Sequence, residues 1–333
     1  METTFATADQ GRTRPSRGRF APSPTGELHL GNARTALLAW LWTRSEGGTF
    51  VMRVEDLDLP RVRPGLARRQ LEELRFLGLD WDEGPMLPSL HEQGPHAPYF
   101  QSRRGVIYDA ALEQLAASGH VYDCFCSRAE IALASAPHGP EDDGPRYPGT
   151  CRGLTTQQRS ERARTRKPAL RLRVPEGAVT FEDAICGPQS FDPQAEVGDF
   201  VLRRADGVHA YQLAVVVDDA AMGITQVLRG ADLLSSTARQ IVLYRLLGKV
   251  EPRWAHAPLV RGPSGERLSK RDAAASLSAS AQRGDDSGRI VAALASSSGL
   301  FPPADACTPA DLVPTFAIDR VPRGAATPTA EGR

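Results

Sequence analysis

Short apolar runs alternate with amphipathic segments from the N-terminal region to about residue 119. Apolar runs between turn residues predict strands, and apolar positions three or four residues apart predict helices. Strands are expected at 17–21 and 49–55, and helices at 31–45, 63–77 and 103–117. Because the two element types take turns, the pattern indicates an α/β fold with a parallel sheet and helical crossovers.

The periodicity breaks after residue 119. Residues 120–200 contain paired cysteines, a loop rich in Pro, Gly and acidic residues at 136–148, and several short apolar runs, so we expect an insertion here. A nearly continuous apolar run at 209–217 predicts a buried parallel strand. Helices are expected at 235–247 and near 288–295.

The composition fits a globular protein without a membrane anchor. Apolar residues make up 41% of the chain, and 40 basic residues balance 40 acidic ones. The longest apolar run, at 36–42, is far shorter than the roughly 18 residues of a membrane span. The N-terminus lacks the apolar core of a secretory signal. Five cysteines, an odd number, argue against a disulfide scaffold and favour a reducing cytoplasm.

A zero net charge still leaves room for a local basic face that binds nucleic acid. The segment 159–173 is the main candidate, and it is either such a face or an ordinary solvated helix surface. Its basic residues are Arg159, Arg162, Arg164, Arg166, Lys167, Arg171 and Arg173.

The stretch 19–32 (RFAPSPTGELHLGN) joins the first predicted strand to the first predicted helix. It places His29, Gly31 and Asn32 at a helix N-terminus, where free N–H groups and partial positive charge suit a phosphate. Gly31 also lets a ligand approach the backbone closely. Far downstream, 267–271 (RLSKR) supplies cations that can neutralise charge developing on a triphosphate. The two segments together predict a nucleotide site.

These segments resemble the His-Ile-Gly-His and Lys-Met-Ser-Lys-Ser signatures of class I aminoacyl-tRNA synthetases, and RFAPSPTG followed by GNARTA resembles the glutamate-activating branch. The resemblance implies a doubly wound parallel, Rossmann-like catalytic domain with a zinc-containing insertion, and binding of ATP and Mg²⁺. It implies that His29 and Lys270 are catalytic. Asn32 replaces the last His, and Arg267 replaces the first Lys, which keeps the charge but changes its geometry. The implied ATP contacts are Pro22, Thr25, Gly26, His29, Gly31, Asn32, Arg267, Leu268, Ser269 and Lys270.

Glutamate has two carboxylates and one ammonium, so its pocket needs both cations and an anion. The resemblance points to Arg19 and Arg229 as the cations, since guanidinium groups bind carboxylates with two hydrogen bonds. It gives Glu55 as the partner of the ammonium. Singly, Glu55 can equally be a surface ion-pair residue and Arg229 a solvated loop residue. The implied glutamate-binding set is Arg19, Phe20, Ala21, Pro22, Ser23, Glu55, Tyr211 and Arg229.

Cys124 and Cys126 form a short pair, and Cys151 follows downstream. Structural zinc takes four ligands and favours thiolates, so three are present and the fourth is open among His120, His138 and Tyr147. The resemblance favours Tyr147, although the loop here is longer than usual, which keeps His138 as an alternative. Three buried reduced cysteines are the other interpretation.

The segment after residue 271 is shorter than a typical domain of roughly 100–150 residues. The resemblance therefore points to a truncated branch without an anticodon-binding domain. That branch activates glutamate with ATP without tRNA and transfers it to queuosine at the wobble position of tRNA(Asp). The alternatives are a truncated enzyme that charges the 3′ end of tRNA(Glu) and a non-catalytic binding protein. We expect a cytoplasmic monomer. The expected organisation is a disordered tail (1–16), two catalytic halves (17–119 and 201–271), a zinc insertion (120–200) and a short helical C-terminal segment (272–333).

Overall fold

A computed structural model describes residues 14–134, 146–259, 277 and 284–323. Its strands are β1 (Arg17–Phe20), β2 (Thr49–Met52), β3 (Gly84–Met86), β4 (His91–Gln93), β5 (Val121–Cys124), β6 (Ala169–Leu172), β7 (Val179–Asp183), β8 (Gly187–Phe191), β9 (Val201–Arg203), β10 (Gln226–Gly230) and β11 (Arg253–Ala257). Its helices are α1 (Leu30–Ser45), α2 (Leu66–Phe76), α3 (Gly105–Ala117), α4 (Arg128–Ala134), α5 (Thr156–Ala163), α6 (Pro193–Glu196), α7 (Tyr211–Ala221), α8 (Leu234–Leu246), α9 (Ser287–Ser297) and α10 (Pro309–Leu312). Apart from one element, the predicted strands and helices are confirmed, with small shifts at their ends.

Parallel strands form the centre of the fold. β1 pairs with β2, and β10 pairs with β11, which also pairs with β7. β10 lies beside β1, where the backbone N–H of Thr225 donates to the carbonyl of Arg17 at 2.9 Å. β8 joins the edge of this layer antiparallel to β7. The predicted α/β fold with parallel strands is confirmed.

Helices cover both faces of this layer. Since successive side chains of a strand point to opposite faces, each central strand contributes to two cores. In β10, Leu228 packs into the core that contains α1, and its neighbour Val227 packs into the core that contains α7 and α8. β11 repeats the arrangement with Ala255 and Trp254. The strands are therefore buried on both sides, which is typical of parallel sheets.

The prediction of a strand at 209–217 was wrong. The structure has helix α7 over Tyr211–Ala221, and Leu213, Val215 and Val216 are buried against α8 and the sheet. A continuous apolar run does not distinguish a buried strand from a buried helix, and the eleven-residue length of the element favours the helix. The β-branched valines are accommodated because tertiary burial outweighs helix propensity.

The predicted insertion contains two different structures. β5 and β6 form an antiparallel sheet with β9, which follows the predicted insertion, whereas β7 and β8 belong to the layer of β10 and β11. The domain limits at 119, 200 and 271 stay predictions. α9 confirms the helix expected near 288–295. Among the described helices, none is long and apolar enough to cross a membrane.

Candidate active site

The loop between β1 and α1 presents the helix N-terminus that the sequence predicts. His29 is the N-cap of α1, and its Nδ1 accepts a hydrogen bond from the backbone N–H of Asn32 at 3.2 Å. Because Nδ1 is the acceptor, a neutral His29 carries its proton on Nε2. The same cap holds the first turn of α1, so His29 shapes the helix terminus through Nδ1.

One cavity of 420 Å³ collects most of the predicted site. Its lining includes every predicted glutamate residue, namely Arg19, Phe20, Ala21, Pro22, Ser23, Glu55, Tyr211 and Arg229. It also includes the predicted ATP residues Pro22, Gly26, His29, Gly31 and Asn32. Thr25 lines a second, adjoining cavity instead. Arg267, Leu268, Ser269 and Lys270 lie outside the described residues.

Glu55 follows β2 at the carboxyl ends of the parallel strands, where open α/β sheets bind ligands. Its backbone N–H donates to the carbonyl of Pro22 at 2.9 Å, and its carboxylate accepts from Arg53 Nη2 at 3.0 Å. Burial raises the pKa of Glu55, and the nearby guanidinium groups of Arg53 and Arg19 oppose that shift. Glu55 does form an ion pair with Arg53, as the ion-pair interpretation expected, but the pair is not on the surface, because the two side chains are 10% and 0% exposed.

The sequence reasoning missed the carboxylates that hold the pocket arginines. Asp219 of α7 accepts from Arg53 Nη1 at 2.6 Å and lies 3.4 Å from Nε of Arg19. Three surrounding carboxylates outweigh burial and raise the pKa of Arg53 well above its ordinary value. The signal was the acidic pair that ends the apolar run VVVDD. Because α7 is a helix, both aspartates are buried and bind arginine side chains.

Asp218, the other member of the pair, ties α7 to α3. Its carboxylate accepts from Arg104 Nε at 2.5 Å, Gln101 Nε2 at 2.7 Å and the hydroxyl of Tyr108 at 2.9 Å. Burial, with the Asp218 charge added, raises the pKa of Tyr108, so this phenol stays a donor. The network therefore ties α7, which carries Tyr211 of the cavity wall, to α3 and the segment before it.

Arg229 lies near the end of β10, surrounded by hydrogen-bond acceptors. Its Nε donates to Nε2 of His256 at 3.0 Å, and its two terminal nitrogens donate to Gln240 and Thr237, each at 2.8 Å. Nη1 also reaches the hydroxyl of Tyr211 at 3.4 Å. Burial lowers the pKa of Arg229 from its ordinary value. The solvated-loop interpretation was wrong, since Arg229 is only 5% exposed.

Two further residues of the cavity were not predicted. Gln70 of α2 donates through Nε2 to the carbonyls of Ser23 at 3.2 Å and Gly26 at 2.6 Å, which holds the loop before α1. Arg34 of α1 donates to the carbonyls of Pro258 and Ser297, joining α1 to the end of β11 and to α9. Burial lowers the pKa of Arg34 to about 10.

The three predicted cysteines meet in the insertion. The sulfurs of Cys124, Cys126 and Cys151 lie within 4.8 Å of one another, and Cys126 is 3.6 Å from Cys151. Four ligands about 2.3 Å from a tetrahedral zinc place sulfurs roughly 3.8 Å apart, so this spacing fits such an ion. Burial raises the pKa of the Cys126 thiol to about 11. The cluster can hold a metal that prefers sulfur.

Tyr147 supplies an oxygen beside these sulfurs. Its hydroxyl is 3.4 Å from Sγ of Cys124 and 3.9 Å from Sγ of Cys126, and it accepts from the backbone N–H of Cys151 at 2.9 Å. Burial raises the pKa of Tyr147, so the phenol is protonated without a metal. Within the described part of the chain, His120 is not a member of the group, and His138 lies outside that part.

A second cavity of 850 Å³ lies between the two sites. It shares Ser23, Glu55 and Tyr211 with the first cavity and reaches Cys126 of the metal group. Both arginines and carboxylates line its wall, so it offers charged partners to a polar ligand. The charged and imidazole residues of this lining are Glu55, Asp58, Arg61, Arg128, Arg171, Arg204, Asp206 and His209.

The basic residues of segment 159–173 fall into two groups, those packed inside the protein and those exposed on its surface. Arg171 is buried, with its guanidinium 3.8 Å from the ring centre of Tyr147, and Arg173 lies 4.8 Å from the ring of Tyr122. In contrast, Arg164 and Lys167 are exposed. Only part of the segment is therefore a surface that another molecule can contact.

Comparisons with known proteins identify the family of this chain. The family model described as tRNA synthetases class I (E and Q), catalytic domain, matches residues 16–297. A protein of Symbiobacterium thermophilum named glutamyl-Q tRNA(Asp) synthetase is 53% identical over 308 residues, which cover 92% of this chain and 94% of that protein. The chain belongs to the glutamyl-Q tRNA(Asp) synthetase family of class I tRNA synthetases. The resemblance inferred from the two signatures is confirmed.

The family is related to longer glutamate enzymes. The glutamate–tRNA ligase 1 of Halorhodospira halophila is 48% identical over 268 residues, which cover 80% of this chain but 55% of that protein. Among solved structures, a glutamate-tRNA synthetase from Elizabethkingia anophelis matches with a TM-score of 0.79 and 29% identity over 96% of this chain and 69% of its own. This likeness agrees with the match of residues 16–297 to the class I synthetase catalytic domain.

Proposed function

We propose that the protein activates L-glutamate with ATP, without tRNA, and transfers the glutamate to queuosine at the wobble position of tRNA(Asp). The observation that carries the activation step is a single cavity lined by Arg19, Arg229, Glu55 and the N-terminus of α1. The family membership supports the acceptor. Relatives with that name match over nearly their full length, whereas a glutamate–tRNA ligase matches over about half of its own.

The amino acid is recognised by charge. Glu55 is the anion for the ammonium group, and Arg19 and Arg229 are the cations for the two carboxylates. Each of the three is held from behind by other charged or polar groups, which keeps them preorganised. A neutral glutamine side chain would leave a buried guanidinium without its anion, so the pocket discriminates against it.

ATP lies along the N-terminus of α1. The Nε2–H of His29 and the first-turn N–H groups other than that of Asn32 bind phosphate oxygens, and the resemblance adds Lys270 and Arg267 from the segment outside the described residues. An oxygen of the glutamate α-carboxylate attacks the α-phosphorus, and pyrophosphate leaves with the electron pair of the broken P–O bond. Mg²⁺ would neutralise phosphate charge in this step. The enzyme contributes position and charge rather than a covalent nucleophile.

The acceptor nucleoside enters through the second cavity. This cavity meets the glutamate cavity at Ser23, Glu55 and Tyr211, so a ring placed there faces the activated carbonyl. A hydroxyl of the cyclopentene ring of queuosine attacks that carbonyl, an ester forms and AMP leaves as the phosphate anion that takes up the proton. The exposed Arg164 and Lys167 would contact tRNA phosphates, which makes binding salt-dependent.

The insertion would hold one zinc ion through Cys124, Cys126, Cys151 and Tyr147. Zinc there is structural, since four protein ligands close its coordination, and it ties β5 to the segment around Tyr147. We also propose that the protein acts as a monomer in the cytoplasm, where tRNA and ATP are available.

Activation without RNA is the first test. Protein incubated with ATP, Mg²⁺ and glutamate should exchange labelled pyrophosphate into ATP in the absence of tRNA. Lys270→Ala should lower kcat by about 100-fold or more, because its charge acts where negative charge develops. Lys249→Ala, an exposed lysine after α8, is the matched control and should not change the rate. Absence of exchange at any glutamate concentration would refute the proposed activity.

The metal gives a second test. We expect about one zinc per chain by elemental analysis of protein purified without chelators. Tyr147→Phe should weaken zinc retention during a chelator titration, because it removes the oxygen ligand. Tyr122→Phe is the control, since that buried phenol donates to Asp199 at 2.7 Å and not to a sulfur. If Tyr147→Phe keeps zinc and His138→Ala loses it, the fourth ligand is His138.

A further inference from the structure

A buried carboxylate–imidazole pair lies directly behind Arg229. Asp183 ends β7 and His256 lies in β11, and neither side chain has exposed surface. Oδ2 of Asp183 is 2.6 Å from Nδ1 of His256, and Nε2 of His256 accepts from Nε of Arg229 at 3.0 Å. The three groups therefore form a line that starts in the sheet and ends at the wall of the glutamate cavity.

The bonds of Asp183 decide which of its oxygens faces His256. Oδ1 accepts three backbone N–H groups, those of Ile185 at 3.0 Å, Cys186 at 2.8 Å and His256 at 3.2 Å. Only Oδ2 remains for the imidazole. These hydrogen bonds and His256 outweigh burial and lower the pKa of Asp183, so it is a carboxylate and accepts from Nδ1–H.

The second ring nitrogen of His256 is then an acceptor. Burial lowers the pKa of His256 to about 4, so the ring is neutral near pH 7 and carries its only proton on Nδ1. The lone pair on Nε2 faces Nε–H of Arg229 and lies 3.1 Å from the hydroxyl of Thr237, which itself accepts from Nη2 of Arg229. The opposite tautomer would place two N–H groups against each other.

We propose that Asp183 and His256 are positioning residues that set the orientation of Arg229, and thereby the selection of glutamate over glutamine. Asp183 keeps the proton of His256 on Nδ1, and the unprotonated Nε2 then accepts a hydrogen bond from the guanidinium of Arg229. The inference rests on the proposed role of Arg229 in binding a glutamate carboxylate.

Asp183→Asn tests this chain of contacts with little change in volume. The three backbone N–H groups require the amide oxygen of Asn on the Oδ1 side, so its NH₂ group faces Nδ1 of His256. That nitrogen must then accept, the proton moves to Nε2, and Nε2–H opposes Nε–H of Arg229. We expect the KM for glutamate to rise about 10- to 100-fold, as for loss of a hydrogen bond to a charged group. The KM for ATP should stay near the wild-type value, and the preference for glutamate over glutamine should fall.

The control is Asp199→Asn, which alters another buried carboxylate at 2.7 Å from the hydroxyl of Tyr122, in the insertion. Pyrophosphate exchange and thermal unfolding are measured for both variants beside the wild type. Nitrogen-15 NMR of labelled histidine reads the tautomer directly, and the signal of His256 should change from the Nδ1–H to the Nε2–H form only in Asp183→Asn. His256→Gln, which supplies an amide oxygen to Arg229, should retain more glutamate affinity than His256→Leu.

The outcomes separate the two hypotheses. A wild type without glutamate-dependent exchange contradicts the proposed function itself. With an active wild type, an unchanged KM for glutamate in Asp183→Asn overturns the positioning role. So does a joint rise of both KM values with the same loss of thermal stability as in Asp199→Asn, since that pattern marks a purely structural pair. Equal effects of His256→Gln and His256→Leu overturn it as well.

Discussion

Labelled glutamate is expected to appear on tRNA(Asp) that contains queuosine and to be absent from the same tRNA without queuosine. The effect is all or none, because the attacking hydroxyl belongs to the cyclopentene ring and the unmodified guanosine has no such ring. In the proposed mechanism that ring occupies the second cavity, which shares Ser23, Glu55 and Tyr211 with the glutamate cavity. The measurement is acid-precipitable label on tRNA purified from cells with and without the modification.

The site of attachment distinguishes this reaction from 3′-end charging. Removal of the 3′-terminal adenosine should leave the label in place and leave the rate of transfer unchanged. Joint substitution of Arg164 and Lys167 by Ala should raise the KM for tRNA and reduce its salt dependence without affecting pyrophosphate exchange. Arg289→Ala, an exposed arginine of α9, serves as the charge control. Label that disappears with the terminal adenosine would make the protein a 3′-end synthetase.

Glu55→Gln is expected to raise the KM for glutamate on the order of 100-fold or more. Removing one partner of a buried charge pair costs about 3–5 kcal/mol, and the ammonium would lose its only proposed anion. The amide oxygen of Gln can still accept from Arg53, as the carboxylate does at 3.0 Å, so the fold should persist. The KM for ATP should change little. Steady-state exchange kinetics with each substrate varied in turn measure both constants.

Glu46→Gln is the matched control for that substitution. Glu46 makes an ion pair with Arg253 at 2.5 Å on the protein surface, away from the cavity lining. Surface pairs contribute about 0–1 kcal/mol, so neither KM should move. If Glu55→Gln behaves like Glu46→Gln, Glu55 does not bind the ammonium group and the proposed orientation of glutamate is wrong.

The α7 segment shows how far the local sequence pattern could predict this site. The apolar run before Asp218 and Asp219 was correctly placed in the core, but it was interpreted as a strand. The spacing of apolar residues alone does not distinguish a buried strand from a buried helix. The difference matters for function, because the helix carries Asp219 to Arg53 and Arg19 and carries Tyr211 to the cavity wall.

The first signature was easier to interpret, because residues close together in the chain form the helix N-terminus by themselves. His29 caps α1 through the N–H of Asn32, three residues away, so a local pattern was enough to predict the helix N-terminus. The Cys124–Cys126 pair likewise needs only a short loop, and the sulfur of Cys151 joins it.

Local sequence patterns were enough to predict the α/β class, the helix N-terminus at His29, the cysteine group and, through the two signatures, the family. The groups that hold the binding residues in place could be found only from the tertiary structure. Asp183, His256 and Arg229 come from three different strands, and nothing in their spacing along the chain relates them. They meet because β7, β11 and β10 are neighbours in one sheet. A buried charge is stable only where the fold supplies its partners, and those partners are set by strand order rather than by local sequence.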